Sequence, residues 1–229
     1  PIGIPKILNF HELLPFWRAF LSELGFSVVL SDMTNKKIIR EGVENIIVET
    51  CFPIKLAHGH ILNLIKKDVK RIFLPSVINL ERTSQHTLNA FACPYAQSLP
   101  YSVKASVDFE TPGVNVDSPV VYFGEGREVA LGNLTNYGKE IGKSKREIER
   151  AFNIAMEAQE TFYRRCQEAG QAFMSSLHEN DKAMVIIGRP YNSTDPGANL
   201  NIHKKLMDLG VKPIPLDMLP LVDVAAEDE

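Results

Sequence analysis

The sequence predicts an α/β protein: a Rossmann-like parallel-sheet domain, a long connecting helix, and the start of a second Rossmann-like domain. Three observations carry this. Short apolar runs alternate with segments of helical periodicity, the pattern of βαβ units. One run, Phe26 to Leu30, is apolar almost throughout, as in a strand covered on both faces. A capping box at Ser144 then opens a helical seam of about 33 residues, which would reach roughly 50 Å.

The elements follow in order. Ile2 to Leu8 fits a short buried strand. Leu13, Trp17, Phe20, Leu21 and Leu24 recur at helical spacing, and Gly25 stops that helix. Phe26 to Leu30 is the next strand, Thr34 to Gly42 a helix, and Asn45 to Val48 another short strand. From Pro53 to Lys67 the chain reads as helix, with Ile54, Ala57, His58, Ile61, Leu62 and Ile65 on one face. Arg71 to Val77 is a strand, and a polar loop leads to Cys93. Pro94 to Val107 reads as a helix that Pro100 kinks or divides.

Residues 108 to 143 are mixed, with one strand from Pro119 to Phe123 and five glycines between 124 and 142. They read as the exit from a first domain spanning 1–143. Ser144 and Glu147 form the capping box of the connecting helix, 144–180. Ile148, Phe152, Ala155, Phe162, Cys166, Ala169 and Phe173 make its apolar seam, interrupted only by Gln159. Ala183 to Ile187, Asn199 to Leu209 and Val211 to Leu216 then repeat strand, helix, strand. One βαβ unit buries its own faces poorly, so residues 181–229 are expected to be part of a second domain. The opening Pro1-Ile2-Gly3-Ile4 has no Met, which suggests a piece of a longer protein.

Composition narrows the function classes. Hydrophobic residues are 45% and charged residues 23% of the 229, a globular balance. A net charge of −3 gives no general attraction to nucleic acid. No apolar run approaches the roughly 20 residues of a membrane span. Three cysteines are too few for a disulfide scaffold, and with no export signal this favours a reducing, cytoplasmic setting.

Two of those cysteines have matching surroundings: Glu49-Thr50-Cys51-Phe52-Pro53 and Ala92-Cys93-Pro94-Tyr95. A proline suits the first turn of a helix, and a sulfur there meets unpaired N–H groups and the positive helix end, which favour thiolate over thiol. Each cysteine also follows a strand, and ligands gather at the carboxyl ends of parallel strands. Two readings fit: shared iron–sulfur ligation, or two buried packing cysteines. Cys166 lies on the apolar helix seam and reads as packing. His58 and His60 stand on nearly opposite sides of one helix and cannot readily share an ion. His58 falls on the apolar face as a hydrogen-bonded core histidine, and His60 away from it. Lys55 could offer charge to an anion, or be solvated. Glu49 is a candidate second-shell or proton-handling group. The loop Gly188 to Gly197 follows a strand and precedes a helix; Arg189, Tyr191, Asn192 and Asp195 are its ligand-binding candidates, against a plain turn-rich loop. It is neither a dinucleotide fingerprint nor a P-loop, so no nucleotide motif is present.

Four segments resemble a known family: IGIPKILNFHELLPFWRAFLSELGFSVVLSD, VETCFPIKLAHGHI, ACPYAQSLPY and GRPYNSTDPGANLNIHKKLMDLGVKPIPLDMLP. Together they look like the uncharacterised domain of large CoA-substrate-specific enzyme activases, itself similar to subunits of 2-hydroxyacyl-CoA dehydratases and benzoyl-CoA reductases. The resemblance implies stacked Rossmann-like domains and a cysteine-ligated [4Fe-4S] cluster. It also implies electron transfer driven by an actin-like ATPase module, which this chain does not contain. The partners it implies are that module, an acyl-CoA dehydratase or reductase component, and a CoA thioester. Cys51 and Cys93 match the first two cysteines of the family's cluster pattern; Cys166 does not match a third. A cluster is therefore expected in the full-length parent, and an absent or labile one in this piece, which alone is expected to be inactive. The alternatives are an acyl-CoA- or nucleotide-binding module without a cluster, and a scaffold docking the ATPase module to its partner.

Overall fold

A computed structural model describes residues 1–47, 49–81 and 90–219. Four parallel strands form the central sheet in the order β2-β1-β3-β5: β1 (Ile2–Ile4), β2 (Val28–Leu30), β3 (Arg71–Phe73) and β5 (Asn115–Asp117). Strand order reverses beside β1, so the crevice outside the carboxyl ends of β1 and β3 is the switch point of the sheet. The α/β class with parallel strands is therefore as the sequence predicts.

Two prolines divide what would be longer strands. β4 (Ser76–Asn79) follows β3 beyond Pro75, and β6 (Val120–Tyr122) follows β5 beyond Pro119. Proline has no N–H for the ladder, yet pairing resumes at once: Leu74 N–H donates to Asp117 C=O (2.8 Å) and Ser76 N–H to Pro119 C=O (2.8 Å). β4 and β6 thus make a separate parallel pair.

The core joins several helices through aromatic contacts. Phe16 and Trp17 of α1 (Phe10–Glu23) are buried and meet edge-on, with centroids 4.8 Å apart. Trp17 reaches Phe73 of β3 (4.9 Å), and Phe16 reaches Phe123 (5.2 Å) and Phe152 (5.6 Å). Phe152 lies on α7 (Lys145–Ser175), so the first half of this long helix belongs to the core. Its capping box is present as the sequence predicts. Its second half is largely exposed, and Gly170 there touches the Met218 carbonyl, where a Cβ would come within 1.7 Å.

On the other side, α2 (Lys36–Glu44) and α3 (Phe52–Lys66) cross almost backbone to backbone. A Cβ on Gly42 would lie 2.1 Å from the Lys55 carbonyl, and one on Gly59 2.0 Å from that of Ile38.

Several expectations need correction. Asn45 to Ile47 form no strand, and Val48 lies outside the described residues. Asn45 instead caps α2, its side chain donating to the Glu41 carbonyl at 2.8 Å. The helix expected from Pro94 to Val107, kinked or divided at Pro100, is by contrast as predicted: two helices, α4 (Pro94–Gln97) and α5 (Leu99–Ser106), divided at Ser98 just ahead of Pro100. Residues 108–143 contain β5, β6 and a helix, α6 (Arg127–Glu140), rather than one strand and an irregular exit. Gly132 and Gly138 obscure α6 in sequence, because glycine weakens helix propensity. The structure needs one of them: a Cβ on Gly138 would meet Ile148 Cγ1 at 2.4 Å. The loop before Cys93 falls partly, and the acidic tail wholly, outside the described residues.

Beyond α7, β7 (Lys182–Ile186) and β8 (Val211–Pro215) pair in parallel around α9 (Ile202–Asp208), with the one-turn α8 (Pro190–Thr194) between β7 and α9. Four of the five β7 residues are exposed. Among the described residues, no helix is long and apolar enough to cross a membrane.

Candidate functional site

Cys51 occupies the N-cap of α3 and Cys93 that of α4. Neither sulfur caps its own helix. The Cys51 carbonyl accepts from Ile54 N–H (3.1 Å) and the Cys93 carbonyl from Ala96 N–H (2.8 Å), which fixes each turn and leaves the thiol outside it. Cys51 is exposed and Cys93 half-buried, so neither is a sealed core cysteine. α3 is long enough to present a positive end to Cys51. α4 is a single turn, so the matching sequence surroundings are not electrostatically matched.

Tyr191 lies within electrostatic range of both cysteines. It is half-buried against the core. Burial pushes its hydroxyl above the ordinary tyrosine value; the Arg189 guanidinium opposes this, and the Cys93 and Cys51 sulfurs add to it. The hydroxyl therefore senses both sulfurs and the guanidinium at once, although the cysteines lie 42 residues apart in sequence. Tyr191 also lines a small cleft, of about 10 Å³, with Lys6, His11, Pro53, His60 and Asp195.

The other expected site residues divide. Arg189, the N-cap of α8, is exposed, as is Asn192. Lys55 and Glu49 form an ion pair, with Lys55 mostly covered (side chain 18% exposed) and Glu49 open (84%). Each satisfies the other. Asp195 is buried, with both oxygens in use: Oδ1 accepts from Gly197 N–H (2.9 Å) and Oδ2 from the Thr34 hydroxyl. Its place is between polypeptide segments. Thr50, next to Cys51, has a buried hydroxyl without a hydrogen-bond partner among the described residues. Cys166 is half-buried, and burial followed by the Asp217 charge raises its thiol above the ordinary value, which suits packing.

The histidines hold one agreement and one correction. His58 is a buried, hydrogen-bonded histidine, with Nδ1 2.9 Å from the Ile54 carbonyl and Nε2 2.9 Å from Ser106 Oγ. His60, expected away from the apolar face, is fully buried as well. The reason is that α3 is covered on both sides. His60 Nδ1 lies 2.8 Å from Ser31 Oγ and Nε2 2.9 Å from Thr34 Oγ1. Burial, the largest effect, pushes its pKa down to about 4. Ser31, Thr34, His60 and His11 were not among the expected site residues. Ser31 and Thr34 follow the Phe26–Leu30 run, so the carboxyl-end rule could have found them.

The arrangement offers two accessible thiols, one exposed and one half-buried, both within electrostatic reach of the Tyr191 phenol, with the exposed Arg189 on the Tyr191 segment. Among the described residues, no three His, Cys, Asp or Glu side chains converge as a metal-binding group. The two thiols suit soft-metal or iron–sulfur ligation as a partial donor set.

Neither a curated protein nor a solved structure matches the chain. A family model described as the CoA enzyme activase uncharacterised domain matches residues 1–219. That span takes in both cysteine helices, α7 and the Arg189 segment, and the chain belongs to this family.

Proposed function

We propose that this chain is an iron–sulfur electron-transfer or dehydratase-like domain of a CoA enzyme activase, with Cys51 and Cys93 as two thiolate ligands of a [4Fe-4S] cluster. The observation that carries this is that one hydroxyl, that of Tyr191, lies within electrostatic reach of both sulfurs. The exposed Cys51 and half-buried Cys93 are accessible donors, and the remaining ligands come from other groups. Such a cluster supplies one-electron chemistry at low potential. Around it, Arg189 offers positive charge, Tyr191 keeps its proton and can donate a hydrogen bond, and the Glu49–Lys55 pair flanks Cys51 without net charge.

The partners of this reading are an actin-like ATPase module and an acyl-CoA dehydratase or reductase component. Its domains are 1–143 and 181–229, joined by 144–180, in a reducing cytoplasm. The test is iron and sulfide content, with EPR, of the full-length parent prepared without oxygen. Stoichiometric iron, lost on Cys51→Ala and on Cys93→Ala, is expected. An intact parent without iron overturns the reading.

The exposed Arg189 guanidinium, at the N-cap of α8 on the segment that also carries Tyr191, favours a second reading, a CoA-thioester- or nucleotide-binding module without a cluster. Calorimetry with CoA thioesters separates the two: iron-independent binding abolished by Arg189→Ala supports the second.

A further inference from the structure

A continuous hydrogen-bond chain crosses from the first sheet to the Arg189 segment. Lys6 N–H donates to Ser31 Oγ (2.8 Å), Ser31 Oγ meets His60 Nδ1 (2.8 Å), His60 Nε2 meets Thr34 Oγ1 (2.9 Å), and the Thr34 hydroxyl donates to Asp195. The far end fixes its polarity. An Asp195 carboxylate only accepts, so the Thr34 hydrogen points to it and Thr34 Oγ1 accepts from His60 Nε2–H. His60 Nδ1 is then the bare nitrogen and accepts from Ser31. Every donor in the chain has one acceptor, and this holds only while His60 carries a single proton.

The chain is also a mechanical joint. Ser31, His60 and Asp195 are buried, and Thr34 and Asp195 are 161 residues apart in sequence. A Cβ on Gly197 would lie 2.5 Å from Thr34 Cβ, so the segment is seated against this spot with no spare room. Next to it, Thr194 Oγ1 and His11 Nδ1 stand 3.5 Å apart. The segment held in this way carries Arg189 and Tyr191, and the Tyr191 hydroxyl is within electrostatic reach of both cysteines.

We infer that Ser31, His60, Thr34 and Asp195 form an acid-releasable latch, which holds the Arg189–Asn199 segment beside Cys51 and Cys93 while His60 is neutral. A second proton on His60 turns Nδ1 into a donor, reverses the Ser31 bond and buries a charge. The facing charged groups are Asp195 on the segment, His11 on α1, Lys6 before α1 and Asp32 after β2. Asp195 and Asp32 favour the charged ring, whereas Lys6 and His11 oppose it, and burial outweighs them all. Asp32 is itself engaged by Lys67 and Asn63. The latch stands whether or not a cluster is bound, because none of its members is a cysteine or a neighbour of one.

Hydrogen exchange of the chain, corrected for the intrinsic pH dependence of exchange, tests it without reading iron or activity. His60 near 4 when latched, against about 6.5 when released, weakens the latch up to roughly 20-fold between pH 7 and pH 5. Protection of the amides of residues 189–199 should fall to that extent in the wild type, while those of β1 and α1 hold. Thr34→Val should leave the segment poorly protected at both pH values, and His60→Gln should flatten the pH response. Equal wild-type protection at pH 7 and pH 5 overturns the inference, and this comparison decides even if neither variant folds.

Discussion

Gln159 is the one polar residue on the apolar seam of α7, and its amide has a specific task. It accepts from Phe16 N–H (3.2 Å) and donates to the Glu12 carbonyl (2.9 Å), bridging two backbone groups of α1 on either side of Pro15. Proline removes a backbone donor inside the helix and disturbs the turn around it. The buried amide of a neighbouring helix keeps that turn satisfied. Gln159→Leu keeps the volume and strips both bonds, and should cost about 2–4 kcal/mol in urea unfolding. A loss below about 0.5 kcal/mol would show that these backbone groups find partners without it. The polar interruption was legible in the sequence; its partner was not, because Glu12 and Phe16 lie more than 140 residues away.

At the scale of elements, two helical glycines make opposite predictions. Gly59 sits where α3 meets α2, with the Ile38 carbonyl in the place its Cβ would take. Gly59→Ala must push two packed helices apart and should cost about 1–3 kcal/mol. Gly132, inside α6, has nothing within 4 Å of a built Cβ. Gly132→Ala should stabilise by about 0.5–1 kcal/mol, since alanine restricts the unfolded chain and favours helix. Denaturant midpoints measured on both variants check the pair, and a shift of the same sign in each would refute the contrast. The same glycines limited what could be read from sequence. α1, α3 and the long α7 announce themselves by apolar periodicity. α6 hides behind Gly132 and Gly138, and the strand predicted at Asn45–Val48 rested on apolar residues that follow the cap of α2. The cysteine helices were legible from their prolines, but the shortness of α4 was not. His60 was misplaced because one helix was assumed to have one covered face.

For the whole molecule, the buried neutral His60 sets a pH dependence. Its folded value of about 4 lies below the ordinary 6.5, so between these values the unfolded chain binds a proton that the folded chain does not. Stability is therefore fully present above about pH 6.5 and is lost as pH falls toward 4, by up to about 3 kcal/mol. Unfolding free energies measured at pH 7 and pH 4 should differ by this much more in the wild type than in His60→Gln. Equal differences would remove His60 as the cause.

Two of the places where the C-terminal βαβ unit meets the rest are seats the size of a missing side chain. At one, Gly170 lies under the Met218 carbonyl; at the other, Gly197 lies under Thr34. Seats this close leave no room to slide. Opening at the Thr34 seat leaves the Gly170 seat closed, so the segment that carries Tyr191 can come loose at one end while the other end of the unit stays docked, as a strap undone at one buckle.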